Sequence, residues 1–458
     1  MSTGKLREEL HRIGDTAPVA DVDPGTWGRA RRARARDRVL VSAAAVAVLA
    51  MVGGLGGALK SRDSTPVVGS STPGVPDHLY SVPVSAEPEA TLAVGTSAAA
   101  WMAEQGLVVV VGAVDGAYHL MSPPGFPERG EWLLAEMNDD LPLALSPDGT
   151  RLAYGWFTAP RPDGTRRTGV RVVDLRTGRV RTVSIEAAVG VLVTHIGWSQ
   201  DGRWLSWSGD DTSRWDDSVS TGKTEVTGRI APGATDSEAV PLFDDANRAM
   251  AVGDDGSVWI ATTNTLTRWD GHRRETRTHP GRVSRTGQVS PTGDALAVGV
   301  GMDGPVANPA GRSTLATLID PASGDLTRLR MDEPRGGQST APLGWVGDRL
   351  LVAVSPFDGD GGPGNLPQRL ELLGSDQAPA TVGTVDVGVP RTLTIATDLM
   401  TPDRPTVERP EPHWSWSDER RWSTIGLGVA GALGLVGAAW WLWRRRTSGE
   451  RGYPLSAR

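Results

Sequence analysis

The chain has 458 residues, a formal net charge of −7 and no cysteine. Without cysteine it has no disulfide framework, no thiolate zinc site, no cysteine nucleophile and no lipid-modified cysteine. Its length allows up to about three domains of roughly 150 residues, although an all-β architecture often uses more than about 200 residues in one domain.

Residues 1–38 form a short leading segment. Leu6, Leu10 and Ile13 recur at helical spacing, which predicts a narrow apolar stripe on an amphipathic helix. A helix this short is marginal in water by itself. Three interpretations stay open: docking on a cytoplasmic regulatory protein, lying on the membrane surface, and disorder.

Uncharged stretches of 21 and 22 residues occur at 39–59 and 422–443. At about 1.5 Å per residue, each is long enough to cross a hydrocarbon layer of roughly 30 Å. Both are predicted to be transmembrane helices, and the second carries tryptophans at its ends, as interfacial belts do. A cleaved signal peptide is the alternative for the first stretch, which the long lead before it disfavours.

Arginines mark the cytoplasmic sides of both stretches. Six lie between residues 29 and 38, and four lie between residues 444 and 451. Positive charge beside a span resists translocation. The sequence therefore predicts a two-span protein of the cell membrane with both termini cytoplasmic, including the tail 444–458, and with residues 60–421 outside. The arginine run favours contact with anionic lipid over nucleic acid.

A hairpin pattern repeats within residues 96–400. One copy runs from Leu143 to Tyr154 and contains Ser-Pro-Asp-Gly at 146–149. Period-2 alternation predicts strands, and Pro-Asp-Gly supplies the turn between them. Equivalent positions are 45 to 56 residues apart, a period typical of a four-stranded propeller blade. The other copies are centred on Ser199, Asp244, Ser290 and Val346.

The outer half of each blade has a signature of its own. A D-x-x-T/S-G turn, as at Asp174 and Asp320, is predicted to close a second hairpin. A degenerate first blade at 101–120 brings the count to six, and the length leaves room for a seventh. The late strand at 392–396 is expected to pair with the first blade, because an unclosed ring would expose sheet edges.

The predicted fold class is therefore all-β, a propeller of six, alternatively seven, four-stranded blades flanked by two transmembrane helices. Residues 60–95 are rich in Ser, Pro and Thr and are predicted to form a stalk. Residues 401–421 are predicted to be a Pro-rich linker.

The Ser-Pro-Asp-Gly hairpin at 146–149, with relatives at 199–202 and 290–293, resembles the repeats of TolB-type, WD-like bacterial β-propellers. The resemblance covers roughly residues 95–400. It implies an architecture and not an activity, since such propellers include periplasmic scaffolds, lectin-like modules and non-catalytic domains of peptidases. With a span on each side, the chain also resembles membrane proteins of actinobacteria.

The motifs of common enzymes are incomplete here. No two histidines have the H-E-x-x-H spacing. Ser220 and Lys223 match S-x-x-K without its companion elements, and Asp217 stands where a phosphate loop needs its first glycine. Asp201 breaks the G-x-S-x-G pattern around Ser199. We predict a protein that is not an enzyme and uses no cofactor.

Some residues are still candidates for a site. Asp358 and Asp360 resemble the front of a calcium loop, but Arg369 occupies the position of the bidentate glutamate, so solvated loop tips are the alternative. Trp204 and Trp215 are candidates for stacking on a ligand such as a sugar.

Other residues of the same types are assigned to the core. Trp198 and Trp207 alternate along predicted strands, which favours packing between blades. His195 is predicted to be a hydrogen-bonded core residue and not a metal ligand.

Three functional hypotheses follow. The leading one is a non-enzymatic, membrane-anchored extracytoplasmic propeller that binds a ligand or protein and relays its presence to a cytoplasmic regulator. The second is a cell-envelope hydrolase, which requires carboxylates converging at the propeller mouth. The third is a structural component of an envelope complex. The expected partners are the lipid bilayer and a protein of the envelope or cytoplasm, without nucleic acid.

Overall fold

The computed structural model describes residues 72–412 with gaps. The predicted spans and the two cytoplasmic segments lie outside them. In the described part of the chain, no helix is both long enough and apolar enough to cross a membrane. The gaps are 84–85, 87, 104–106, 127–141, 159–160, 162–164, 187–189, 212–224, 242–248, 263, 280–286, 300–312, 332–337, 357–366, 376 and 387–391.

The described strands form six sheets, which we call blades 1 to 6. The first described strand, β1 (His78–Leu79), belongs to blade 6. Blade 1 contains β2 (Ser97–Met102), β3 (Val108–Gly112) and β4 (Tyr118–Met121). Blade 2 contains β5 (Leu143–Leu145), β6 (Arg151–Phe157), β7 (Thr168–Asp174) and β8 (Val180–Ile185). Blade 3 contains β9 (Val191–Trp198), β10 (Leu205–Asp211), β11 (Glu225–Ile230) and β12 (Glu238–Val240).

The second half of the ring repeats this plan. Blade 4 contains β13 (Ala249–Val252), β14 (Val258–Ala261), β15 (Thr265–Trp269) and β16 (Arg274–Thr278). Blade 5 contains β17 (Gly287–Val289), β18 (Leu296–Gly299), β19 (Ser313–Ile319) and β20 (Leu326–Met331). Blade 6 contains β21 (Gln338–Val346), β22 (Arg349–Pro356), β23 (Gln368–Leu373) and β24 (Ala380–Val385). The last described strand, β25 (Thr394–Ile395), is the innermost strand of blade 1.

The core lies between the blades. The innermost strands β25, β5, β9, β13, β17 and β21 contact one another in that order and close a ring. Each large apolar cluster joins two neighbouring blades; Trp259 of blade 4, for example, packs with Val289 of blade 5. Because alternation gives each blade two apolar faces, stacking around a ring buries both. The all-β propeller is confirmed, with six blades and not seven.

The Ser-Pro-Asp-Gly sequence forms the predicted inner turn. In blade 2 the Ser146 hydroxyl donates to Asp148 Oδ1 at 2.5 Å, and the Gly149 N–H donates to the Ser146 carbonyl at 2.8 Å. Gly149 has φ of 70°, and a Cβ there would lie 2.0 Å from the Ser97 carbonyl oxygen. Only glycine fits both requirements. The hairpins predicted around Ser199, Ser290 and Val346 are also present.

The copy predicted around Asp244 was wrong. Residues 250–252 were expected to be the returning strand of that hairpin, but they belong to β13, the innermost strand of blade 4. The turn follows this strand, where Gly253 N–H donates to the Ser257 carbonyl at 2.8 Å and Gly256 has φ of 78°. The innermost strand and the returning strand of such a hairpin are both short and apolar, so their sequences do not distinguish them. The position of the turn glycines decides which strand is which.

The ring is closed at both ends of the described chain. β25 pairs antiparallel with β2, which confirms that residues 392–396 complete the first blade. β1 pairs parallel with β24 as a fifth strand of blade 6.

The flanking segments also lie on the blades. Val407 exchanges backbone hydrogen bonds with Val75 and Asp77, and Arg409 Nη2 donates to the carbonyls of Thr72 and Ala113 at 2.9 Å. Residues 60–95 and 401–421 were predicted to be a stalk and a linker. Their described parts are instead integrated into the propeller, so the ring extends beyond the predicted limits of 96 and 400.

Candidate functional site at the propeller axis

A small cavity of about 50 Å³ lies on the axis of the ring. A site for one water needs roughly 10–15 Å³ measured in this way, so the cavity has room for a few waters. Five of the six blades line it. Their polar contributors include His195 of blade 3, Gln288 of blade 5 and Thr394 of blade 1.

His195 is the buried titratable group of this cavity. Its residue surface is 9 % exposed, and burial lowers the pKa of the imidazole to about 4. One ring nitrogen donates to the backbone of Met250, whereas Nε2 has no hydrogen-bond partner among the described residues. At neutral pH the ring is therefore uncharged, and Nε2 offers a lone pair. The prediction of a hydrogen-bonded core histidine is confirmed.

One end of the cavity is covered by Gln200. This side chain starts in the inner turn of blade 3, and its Nε2 donates to the Trp345 carbonyl at 3.2 Å and to Thr397 Oγ1 at 3.4 Å. Trp345 belongs to blade 6, so the contact crosses the axis. Thr397 begins a short 3₁₀ helix, Thr397–Leu399, in which the Asp398 N–H donates to the Pro147 carbonyl at 3.0 Å.

Aspartates from three blades gather at this end. Burial tends to raise the pKa of Asp148, but hydrogen bonds from Ser146 and Thr150 outweigh it and lower the pKa. Burial raises the pKa of Asp398, and the nearby charges of Asp148 and Asp254 raise it further. We call Asp148, Asp254 and Asp398 the axial carboxylates.

Asp254 connects two blades at the same mouth. Its Oδ1 accepts the backbone N–H of Asp201 at 2.8 Å, which ties the inner turn of blade 4 to that of blade 3. Burial raises the pKa of Asp254, and the charges of Asp201 and Asp255 raise it as well. The mouth therefore favours positive charge.

The hydroxyl groups beside these carboxylates have structural partners. Ser146 and Ser199 donate to the aspartates of their own turns and accept backbone N–H groups. A nucleophilic hydroxyl needs a base that takes its proton and is itself oriented by a third group. In these turns the carboxylates of Asp148 and Asp201 hold the turn in place. Among the described residues, no three His, Asp or Glu side chains are placed to hold a metal ion.

Trp204 lies at the interface of blades 3 and 4. The guanidinium of Arg229 is 5.1 Å from the Trp204 ring and 4.5 Å from the Trp269 ring. The same guanidinium is held by Glu238 at 2.8 Å and by the Gly256 carbonyl at 2.6 Å. Arg229 thus lies over the ring of Trp204, which the sequence indicated as a candidate for stacking on a ligand.

The remaining predicted residues have mixed outcomes. Trp198 and Trp207 are buried, which confirms their assignment to the core. Trp215, Asp358 and Asp360 lie outside the described residues. Gln200, Thr397 and Arg229 had not been singled out. Their partners are distant in sequence, and no local motif marks such contacts.

Comparisons with known proteins give similarity at the level of the fold. No family model matches the chain, and no curated protein matches it. The putative TolB from Agrobacterium tumefaciens is 14 % identical with a TM-score of 0.36, over 54 % of this chain and 83 % of that one. An oligogalacturonate lyase in complex with manganese is 14 % identical with a TM-score of 0.39, over 60 % and 70 %. A prolyl endopeptidase is 13 % identical with a TM-score of 0.36, over 63 % and 43 %, so the match spans less than half of that enzyme.

Proposed function

We propose that the chain is a membrane-anchored extracytoplasmic propeller that binds a ligand or protein, without being an enzyme, and relays binding to a cytoplasmic regulator through residues 1–38. The uncharged stretches 39–59 and 422–443, with their flanking arginines, support anchoring at two spans.

The observation that carries the proposal is that the two ends of the described chain meet. Arg409 Nη2 lies 2.9 Å from the carbonyl oxygen of Thr72, the first described residue. A ring whose ends leave together suits attachment to one membrane through both ends.

The axis supports binding better than catalysis. The serine hydroxyls at the mouth are used by their turns, and Asp254 holds a neighbouring blade. Such groups give a rigid surface with fixed negative charge. Rigid surfaces of this kind lose little conformational entropy when a partner binds.

Topology is tested with a tag at each terminus and external protease on intact cells. We expect both tags to stay protected until the cells are lysed, while the propeller is accessible. Cleavage of the C-terminal tag in intact cells would overturn the two-span arrangement.

The relay is tested by affinity capture in mild detergent, comparing the full chain with a variant that lacks residues 1–28. A cytoplasmic regulator captured only by the full chain would support it. Identical capture profiles would remove the relay from the proposal. Constant co-purification with membrane proteins, together with instability without them, would favour the structural role instead.

A hydrolase is the second candidate, because the axial carboxylates converge at one mouth and two of them have raised pKa values. A carboxyl with a raised pKa is suited to donate a proton. We expect the purified chain to release no product from cell-wall or peptide substrates. Hydrolysis that D254N and D398N abolish would make the enzyme the better proposal.

A further inference from the structure

Three outermost strands are covered by extended segments of this same chain. On blade 6, β1 pairs parallel with β24. On blade 1, Glu89 forms a parallel bridge to Met121 of β4. On blade 2, Asp236 forms a parallel bridge to Ser184 of β8. The fold therefore accepts an added extended segment at the same position on three blades, always in parallel.

No described strand pairs with the outer edge of β16, the outermost strand of blade 4. Two bonds fix its hydrogen-bonding alternation: Asp270 N–H donates to the Arg273 carbonyl at 3.2 Å, and His279 N–H donates to the Asn264 carbonyl at 2.8 Å. In an antiparallel pair the bonded residues alternate. The backbone N–H and carbonyl groups of Arg273, Glu275 and Arg277 thus point toward β15. Those of Arg274, Thr276 and Thr278 point away from the sheet.

The open stretch centres on Thr276. Among the described residues, neither its N–H nor its carbonyl has a hydrogen-bond partner beyond the edge of the sheet. The tight turn at Gly324 of blade 5 approaches the Thr278 carbonyl, which limits the stretch at that end. Arg274, Thr276, Arg277 and Thr278 are all exposed.

The charge of this edge selects the partner. Arg274 and Arg277 lie on β16, and Arg273 lies directly before it. The one acidic residue of the strand, Glu275, lies 3.4 Å from Arg273 Nε, so the edge keeps an excess of positive charge. Like charges across paired strands are destabilising, so a second copy of β16 is a poor partner. An extended segment with acidic side chains is complementary in both backbone and charge.

We propose that β16 is a docking edge for an acidic, extended segment of a partner protein, which adds as a fifth strand parallel to β16. The proposal rests on the binding role of the propeller but not on its anchoring. A peptide-binding experiment on the purified full chain in detergent therefore succeeds or fails independently of the topology experiments.

The experiment measures fluorescence anisotropy of a labelled peptide that alternates Glu and Val over about eight residues, roughly the length of a strand. Thr276→Pro removes the outward N–H, and edge strands tolerate proline. Thr276→Val removes the same hydroxyl but keeps the N–H. We expect T276P to weaken binding about tenfold relative to T276V.

The charge is tested with a matched pair of variants. Arg277→Glu alters the docking edge, and Arg179→Glu makes the same charge change on an exposed turn of blade 2. We expect R277E to weaken binding about fivefold and R179E to leave it within about twofold. A peptide of alternating Lys and Val should not bind.

Several results would overturn the proposal. These are no binding of the acidic peptide, equal binding by T276P and T276V, or equal binding of acidic and basic peptides. Equal competition by a single-stranded oligonucleotide of matched charge would show attraction to charge alone. If T276P fails to fold, an acidic peptide N-methylated at alternate residues tests the same pairing on the unaltered chain. Its unchanged affinity would also overturn the proposal.

Discussion

Two strands of two residues each join the ends of the described chain to the ring. We call β25 the inner closure and β1 the outer closure, and they differ in where they lie. β25 is innermost in blade 1, where Leu393, Ile395 and Ala396 are at most 3 % exposed. β1 is outermost in blade 6, where Leu79 is buried but His78 is partly exposed. Each closure makes two residue pairs, so pairing does not distinguish them. The difference teaches that the apolar surface buried by a closing strand sets its contribution to stability.

The inner closure should give the largest effect. Ile395→Ala removes buried methyl groups from the cluster between blades 6 and 1 and should lower the free energy of unfolding by about 2–5 kcal/mol. Denaturant unfolding followed by tryptophan fluorescence measures this. Ile395→Val, the control, should cost about 0.5–1.5 kcal/mol. A cost for I395A no greater than that of a β1 variant would contradict the comparison.

Acid should weaken the axis through His195. Burial lowers the pKa of His195 from 6.5 to about 4, so the unfolded state binds more protons between these values. Stability from this group is thus full above about pH 6.5 and falls as the pH drops toward 4, by up to about 3 kcal/mol. His195→Gln should flatten this slope, while the carboxylates act equally in both proteins. Parallel pH profiles would refute it.

Arg409 should matter less than Ile395 but more than His78. Arg409→Ala removes the two hydrogen bonds that the guanidinium donates to the carbonyls of Thr72 and Ala113, and should cost about 1–3 kcal/mol. Limited proteolysis should then cut first in residues 72–79. Arg404→Ala, an exposed change nearby, is the control and should match the unaltered chain. Equal protection of both variants would show that Arg409 does not hold the outer closure.

The smallest effect is expected at the tip of β1. His78 Nε2 lies 2.8 Å from Asp386 Oδ1, but both side chains are 36 % exposed, so water screens the pair. His78→Ala should cost about 0–1 kcal/mol. A double-mutant cycle with Asp386→Asn measures the coupling. A coupling well above 1 kcal/mol would place the outer closure on a par with the inner one.

Turn chemistry made much of the ring predictable. Ser146, Asp148 and Gly149 each have a local role in one hairpin, so their pattern predicts structure without knowledge of the rest of the chain. The prediction failed at blade 4, where the two glycines of the turn, Gly253 and Gly256, follow a strand with no proline to mark it. It also failed for residues 72–79, because a segment that adds to an existing edge needs no sequence pattern of its own.

The side-chain contacts at the axis could not be predicted from turn chemistry. Gln200 bonds to Trp345, a residue on the opposite side of the ring, and no short-range signal connects them. Asp254 and Asp398 meet only because two turns and a closing segment converge on one mouth. Such contacts depend on the number of blades and the curvature of the ring, which are properties of the whole fold.

The closure of blade 1 by β25 sets an order of assembly during synthesis. Among the described strands, only β1 leaves the ribosome before β2, β3 and β4, yet the inner partner of these three strands follows about 290 residues later. At roughly 5–20 residues per second, the edge of β2 waits about 15–60 s for its strand. The first blade to be synthesised is therefore the last to be completed, and for that interval its unpaired edge is open to wrong partners.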